Sequence, residues 1–351
     1  PTNGEEKGCA YIYKNNKGFY TQIMQTSGES AHRQASLSNT SVLPSAGNAY
    51  HSNFGASVAI SPNNLIAIGI PTSESDGSVA IYEPNLDKTN FTINSVIYDQ
   101  ANTIKYGQAI AFDKTVSGDG NQFLVIGSPD STVGGTGGRG EVHVDVADVA
   151  NGVNAYGAGA FADFTLLFTD TIVNDTPHTA GERLGSSVAM HEGVVVAGAP
   201  YNKVGGTTDT SGAAFVWVAD SESNPGTSTT HWHEYACLTG TAGHWGTTAG
   251  ADQNSALGVD VDIFKNTIVV GAPSGKYDGT IQGAALVYTG YNLNSVIDKP
   301  KHWNWATTLT ASDGVGGDRF GNSVSMPNSS TIIIGSPRQV GGGLTVTMII
   351  V

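Results

Sequence analysis

Asp318–Pro337 reads DRFGNSVSMPNSSTIIIGSP. A Phe-Gly pair opens an alternating run, a polar break follows, and a solid apolar run ends in Gly-Ser-Pro. Alternation with period two describes a strand with distinct faces. Phe320, Asn322 and Val324 share one side, and Gly321, Ser323 and Ser325 share the other. Small residues on one face let a neighbouring sheet approach closely. The run TIIIG is apolar on both faces, as a strand buried between two sheets should be. The glycine allows a backbone turn that a side chain would obstruct, and Pro337, lacking an N–H, ends the ladder.

The pattern recurs. It returns as FGASVAISPNNLIAIGIP from Phe54, YGQAIAFDKTVSGDGNQFLVIGSP from Tyr106, LGSSVAMHEGVVVAGAP from Leu184 and LGVDVDIFKNTIVVGAP from Leu257. With the copy at Phe320, the starts are 52, 78, 73 and 63 residues apart, so loops vary while strands do not. A third strand led by glycine follows each copy, at Gly77, Gly140, Gly212, Gly283 and Gly342. Four copies continue into a fourth strand: FTINSVIY, FADFTLLF, HWHEYACL and HWNWATTL. No segment sustains a 3.6-residue apolar period, so helix is expected to be nearly absent. A four-stranded sheet buried on both faces and repeated is a propeller blade, and the fold class is all-β.

These units resemble the FG-GAP repeats of the integrin α-subunit head and of many extracellular proteins. LTASDGVGGDRFGNSVSM, from Leu309, is especially close to that family's wording, and the resemblance runs from Gly8 to Val351. It implies a β-propeller with extracellular binding roles. GCAYIY at Gly8 reads as a third strand and GFYTQIMQ at Gly18 as a fourth, while Val351 ends a third strand. Five complete copies and these extra strands point to a parent ring of six or seven blades. Residues 1–351 are expected to form a single propeller domain with a long Ser/Asn/Gly-rich surface loop at about 26–53.

Composition agrees with many tight turns. Gly is 46 of 351 residues without a three-residue period, and only 13% of residues are charged. The net charge is −14 and Lys and Arg are nowhere clustered, which excludes the electrostatic footprint of nucleic-acid binding. No apolar run reaches the 18 residues of a membrane helix. Starting at Pro1, the chain reads as processed or trimmed. Sequons stand at Asn39, Asn90, Asn174 and Asn328, as a secreted glycoprotein would carry and as Ser/Thr-rich chains also produce by chance. Cys9 and Cys237 lie in apolar and aromatic strands and read as buried thiols in non-adjacent blades.

The resemblance implies Asp-rich calcium loops between first and second strands. Only DKTVSGDGNQ approaches one, offering Asp113, Ser117, Asp119 and Asn121 as oxygen ligands for Ca2+. Loops between strands two and three, and between strands four and one, are expected to share one end of the blades. They carry Asp130, Arg139, Tyr201, Lys203, Asp209, Tyr277 and Asp278, and in integrins that face binds partners. Trp232, Trp303 and Trp305 read as outer-edge packing. Nucleophile elbows, zinc-helix motifs and P-loops are absent. The expected function is an extracellular, non-enzymatic binding, adhesion or assembly module. It would take a protein or glycan ligand, or self-assemble, through the loop face. The alternative is the propeller of a secreted polysaccharide-acting hydrolase or lyase, or a lectin-like glycan binder.

Overall fold

The computed structural model of the chain describes residues 9–16, 19–27, 53–71, 77–84, 91–97, 105–115, 121–133, 135–148, 161–166, 180–203, 210–219, 232–244, 254–291, 302–338 and 347–350. A hairpin comes first, β1 (Cys9–Asn16) with β2 (Phe19–Ser27). Four four-stranded antiparallel sheets follow, each with its strands side by side in sequence order. Blade one holds β3 (Val58–Ile60), β4 (Ile66–Ile70), β5 (Ser78–Pro84) and β6 (Phe91–Ile97). Blade two holds β7 (Ala109–Phe112), β8 (Asn121–Ser128), β9 (Glu141–Asp148) and β10 (Phe161–Leu166). Blade three holds β11 (Ser187–His191), β12 (Val194–Ala199), β13 (Ala213–Ala219) and β14 (Trp232–Leu238). Blade four holds β15 (Val261–Phe264), β16 (Thr267–Ala272), β17 (Ala284–Tyr291) and β18 (His302–Leu309). Blade five has three strands, β19 (Ser323–Asn328), β20 (Thr331–Gly335) and β21 (Thr347–Ile350). Helix among the described residues is one 3-10 turn, Ala242–His244.

The blades belong to a β-propeller. Consecutive first strands lie against one another, β3 on β7, β7 on β11, β11 on β15 and β15 on β19. Second strands are buried on both faces, throughout β4 and β12. Between blades three and four, Val196 and Val216 of one meet Val261, Ile263 and Leu286 of the other. Burying such side chains contributes roughly 1.5–3 kcal/mol each, which makes these seams the main source of stability.

Glycines set how closely the blades approach. The Gly of each Phe-Gly-type pair has positive φ, as at Gly185 (86°) and Gly258 (93°). Its N–H donates to the glycine carbonyl of its own second strand, Gly185 to Gly198 at 3.0 Å and Gly258 to Gly271 at 2.9 Å. Across the seam, the second-strand glycine presses on the next blade. A Cβ on Gly198 would stand 1.9 Å from the Gly258 oxygen, and one on Gly127 would stand 2.0 Å from the Gly185 oxygen. The glycine that opens the third strand completes a latch, with parallel bridges Gly140↔Leu184, Gly212↔Leu257 and Gly283↔Phe320 joining adjacent blades.

The N-terminal hairpin repeats the outer half of a blade. The step in register between Ile12 and Tyr13 falls four residues after Gly8. Matching steps follow Gly77, Gly212 and Gly283, at Ile81/Tyr82, Val216/Trp217 and Val287/Tyr288. One expectation fails here: Cys9 is an exposed free thiol rather than a buried one. No described second strand pairs with β1, so nothing covers Cys9 as β4 covers Ser78 in blade one.

Candidate functional site: the loop face and the turn face

Antiparallel order places the two-to-three and four-to-one loops at one end of the strands. Their contacts link successive blades: Gly181 N–H donates to Gly137 O (3.2 Å) and Arg183 N–H to Gly138 O (3.1 Å). Asp130, after β8, accepts from Lys105 at 2.8 Å and from Arg183 at 3.0 Å, bringing in the loops before β7 and before β11. The Arg183 guanidinium lies over the exposed Tyr201 ring at 5.5 Å. Beneath this group, Glu182 is fully buried between Arg139 (3.8 Å) and the Asn202 amide. A buried carboxylate needs such partners to offset its desolvation.

Three of the expected residues, Asp130, Arg139 and Tyr201, are thus gathered by Lys105, Glu182 and Arg183, which sequence reading had not singled out. A signal existed: a basic residue precedes the repeat opening in three copies, at Lys105, Arg183 and Arg319. All three take left-handed φ values, 64°, 59° and 59°, which turn the side chain out of the strand line. Lys203 is half-buried in the same loop as Tyr201, and Tyr277 and Asp278 lie in the corresponding loop of blade four. There Tyr277 and Thr280 exchange backbone hydrogen bonds, with exposed Asp278 in the turn at φ 45°. Asp209 lies outside the described residues.

The opposite end carries the one-to-two turns. Asp113 is buried, and its carboxylate faces the next blade. Its Oδ1 accepts from Thr115 N–H (2.8 Å), Thr115 Oγ1 (2.8 Å) and Glu192 N–H (3.0 Å), and its Oδ2 from Gly193 N–H (3.0 Å). Both Asp113 oxygens thus meet donors, and the carboxylate ties the turn after β7 to the Glu192–Gly193 turn of the next blade. Among the described residues no three His, Cys, Asp or Glu side chains converge on one point. Ser117 and Asp119 lie outside the described residues, and Asn121 is described only as the start of β8.

Beside Asp113, Lys114 spans from blade two to blades four and five. Its ammonium donates to Asp262 Oδ1 (2.6 Å), Ile263 O (2.9 Å) and Met326 O (3.0 Å). Asp260 and Asp262 in turn accept the Val324 and Met326 N–H groups of β19, at 2.7 and 2.6 Å. Burial pushes the Asp260 carboxyl up to about 6, against the pull of the Val324 and Val261 N–H groups. Burial also lowers His191, whose ring lies 4.5 Å from that of Phe264. The sequence carries a trace of this arrangement. GVDVDIF places aspartates where the other first strands have Ser or Ala.

One seam departs from the others in chemistry. The β9 residues facing blade one are Glu141, His143 and Asp145, all buried, where β13 has Ala213, Phe215 and Trp217. Tyr106 donates to Asp145 at 3.4 Å, with its ring edge-on to His143 at 5.1 Å. At the outer edge, Trp232 and Trp303 are half-buried against the seams and Trp305 stacks on His244 at 4.5 Å. The sequons at Asn39, Asn90 and Asn174 lie outside the described residues, whereas Asn328 is exposed at the end of β19.

Residues 303–345 match the family model described as FG-GAP repeat. The chain carries an FG-GAP repeat there. The match begins in β18, crosses the loop through Asp318 and covers both strands of the opening motif, so it spans the seam between blades four and five. No curated protein matches the chain significantly. Among the described residues no helix is long and apolar enough to cross a membrane. The FG-GAP pattern marks the two glycines that meet across a seam: FG supplies the carbonyl, and GAP supplies the Cα beside it.

Proposed function

We propose that this protein is an extracellular, non-enzymatic binding module whose loop face engages a protein or glycan ligand. The observation that carries the reading is the Lys105–Asp130–Arg183 group with Tyr201 beneath the guanidinium, drawn from two successive blades. Arg and Tyr together present planar hydrogen-bonding and stacking surface with little rotamer freedom to lose, the composition of binding hot spots. Glu182 and Arg139 below hold the backbone of these loops in place, so the surface is preorganised. Extracellular placement is supported by the company FG-GAP repeats keep and by the exposed Asn328 sequon. The resemblance to the integrin head supports the same end of the blades as the ligand face.

The test pairs a glycan and extracellular-protein array with a polysaccharide-degradation screen on one preparation. Binding that Arg183→Ala with Tyr201→Ala abolishes, and that Glu192→Gln at the opposite end leaves unchanged, supports the loop face. Turnover of a polysaccharide, or binding indifferent to the loop-face pair, overturns it.

A further inference from the structure

Around Arg183 the loop face is basic, on a chain whose net charge is −14. The described loop residues 105–108, 129–133, 135–140, 180–186 and 199–203 hold four cations, Lys105, Arg139, Arg183 and Lys203, against two acids, Asp130 and Glu182. Glu182 is committed to the interior, fully buried with Arg139 and the Asn202 amide as partners. At the surface one carboxylate, Asp130, meets two cations: Lys105 at its Oδ2 (2.8 Å) and the Arg183 Nε at its Oδ1 (3.0 Å). A local excess of positive charge draws anions to this face of an otherwise acidic molecule.

The geometry of Arg183 adds shape to the charge. A guanidinium carries five N–H donors in one plane. Asp130, whose second oxygen is held by Lys105, cannot satisfy them all, and the Arg183 side chain is 43% exposed. The guanidinium carbon lies 5.5 Å over the centre of the Tyr201 ring, itself 46% exposed, so cation and aromatic surface are presented together. The left-handed φ of 59° turns Arg183 outward, and Ser186 Oγ secures that turn by donating to Arg183 O at 2.7 Å. The same backbone turn sets out Lys105 (64°) one seam earlier and exposed Arg319 (59°) at the opening of blade five.

We propose that the ligand of this face is an acidic polysaccharide, a chain of uronate sugars whose carboxylates seat on Arg183 and Lys105. The inference rests on the loop-face reading above and names its ligand class. A planar carboxylate matches the arginine fork as a bidentate pair, which an ammonium cannot reproduce. A uronate holds that carboxylate on a rigid ring whose C–H face is apolar. One sugar therefore meets both the guanidinium and Tyr201 with little conformational freedom to lose. An acidic peptide carries its carboxylates on flexible side chains and brings no such ring to Tyr201. Further carboxylates along the polysaccharide meet Lys105, which shares Asp130 with Arg183.

The probe is hexagalacturonate, titrated calorimetrically into the intact chain at low salt, beside its methyl ester and hexaglutamate. Hexagalacturonate should bind saturably, and the uncharged ester about tenfold more weakly or not at all. Arg183→Lys, which keeps the charge and removes the fork, should weaken binding about tenfold, and Tyr201→Leu, which removes only the aromatic face, by several-fold. Lys265→Gln, in the exposed turn between β15 and β16 at the opposite end, should bind as the parent does. Absence of hexagalacturonate binding overturns the proposal, as does equal binding of the ester or binding indifferent to Arg183→Lys or to Tyr201→Leu. Hexaglutamate bound as tightly as hexagalacturonate also overturns it, by making an acidic protein the partner. A neutral glycan or a protein whose binding is lost in Arg183→Ala with Tyr201→Ala would overturn the acidic-polysaccharide assignment while leaving the loop-face reading in place.

Discussion

Replacing Gly198 by alanine tests the physical reason for the repeat. The new methyl would stand 1.9 Å from Gly258 O, 2.4 Å from Ser187 Oγ and 2.8 Å from Gly258 C. Ordinary carbon–oxygen contact is about 3.4 Å, so the carbonyl must retreat by about 1.5 Å. That carbonyl is backbone of the next blade and cannot rotate away. Its retreat stretches the 2.9 Å hydrogen bond from Ser187 Oγ, a loss of about 1 kcal/mol. Overpacking of the seam adds about 1–3 kcal/mol. The expected destabilisation is about 2–4 kcal/mol, a drop of roughly 4–8 °C at about 2 °C per kcal/mol for a large domain. Gly316→Ala, with nothing within 4 Å of the added atom, is the control and should stay within about 0.5 kcal/mol. Urea unfolding of both variants, followed by tryptophan fluorescence, measures the difference. Equal midpoints would refute the claim that glycine is required for blade approach.

Lys114→Met removes three hydrogen bonds and the cation that pairs with the Asp262 carboxylate, and should cost about 2 kcal/mol or more; adding Asp262→Asn should restore part of it in a double-mutant cycle. Asp113→Ala should lower the unfolding free energy by about 2 kcal/mol equally in calcium and in chelator, because the carboxylate anchors the Glu192–Gly193 turn; a loss confined to calcium buffer would instead support a cation at this loop. Asp260 is an acid whose folded value, about 6, lies above the ordinary 3.8, so the folded state keeps a proton that the unfolded chain has released and stability falls as pH rises through that window. Asp260→Asn removes this component, and its stability relative to the parent should rise from pH 4 to pH 7 in urea titrations. A relative fall would mean that the Val324 and Val261 N–H groups hold the carboxylate charged.

Much of the fold is legible in the repeats. Period-two runs with small residues at Gly321 and Ser323 announce a first strand, and TIIIG and VVVAGA announce second strands buried on both sides. GCAYIY was recognisable as a third strand because its order matches GSVAIY and GAAFVWV. The exposure of Cys9 was not, since burial depends on whether a second strand lies alongside, a fact outside the local pattern. The loop-face group was half legible. Asp130, Arg139 and Tyr201 stand in quotable loops, but their union runs through Glu182 and Arg183 of a neighbouring blade. The Lys114 contacts join residues 148 to 212 positions apart, and no short-range pattern encodes them.

The latch amides test the blade-to-blade assembly most directly. Leu184 N–H donates to Arg139 O at 3.0 Å, Leu257 N–H to Ser211 O at 3.1 Å and Phe320 N–H to Gln282 O at 2.9 Å, each from one blade to the one before. Native-state hydrogen exchange should find these three amides protected to the same free energy as the β12 and β16 cores, since freeing them requires parting the blades. Exchange at the rate of exposed turn residues such as Gly316, with the β12 and β16 cores still protected, would contradict it: the blades would be folded units without the FG-to-third-strand latch.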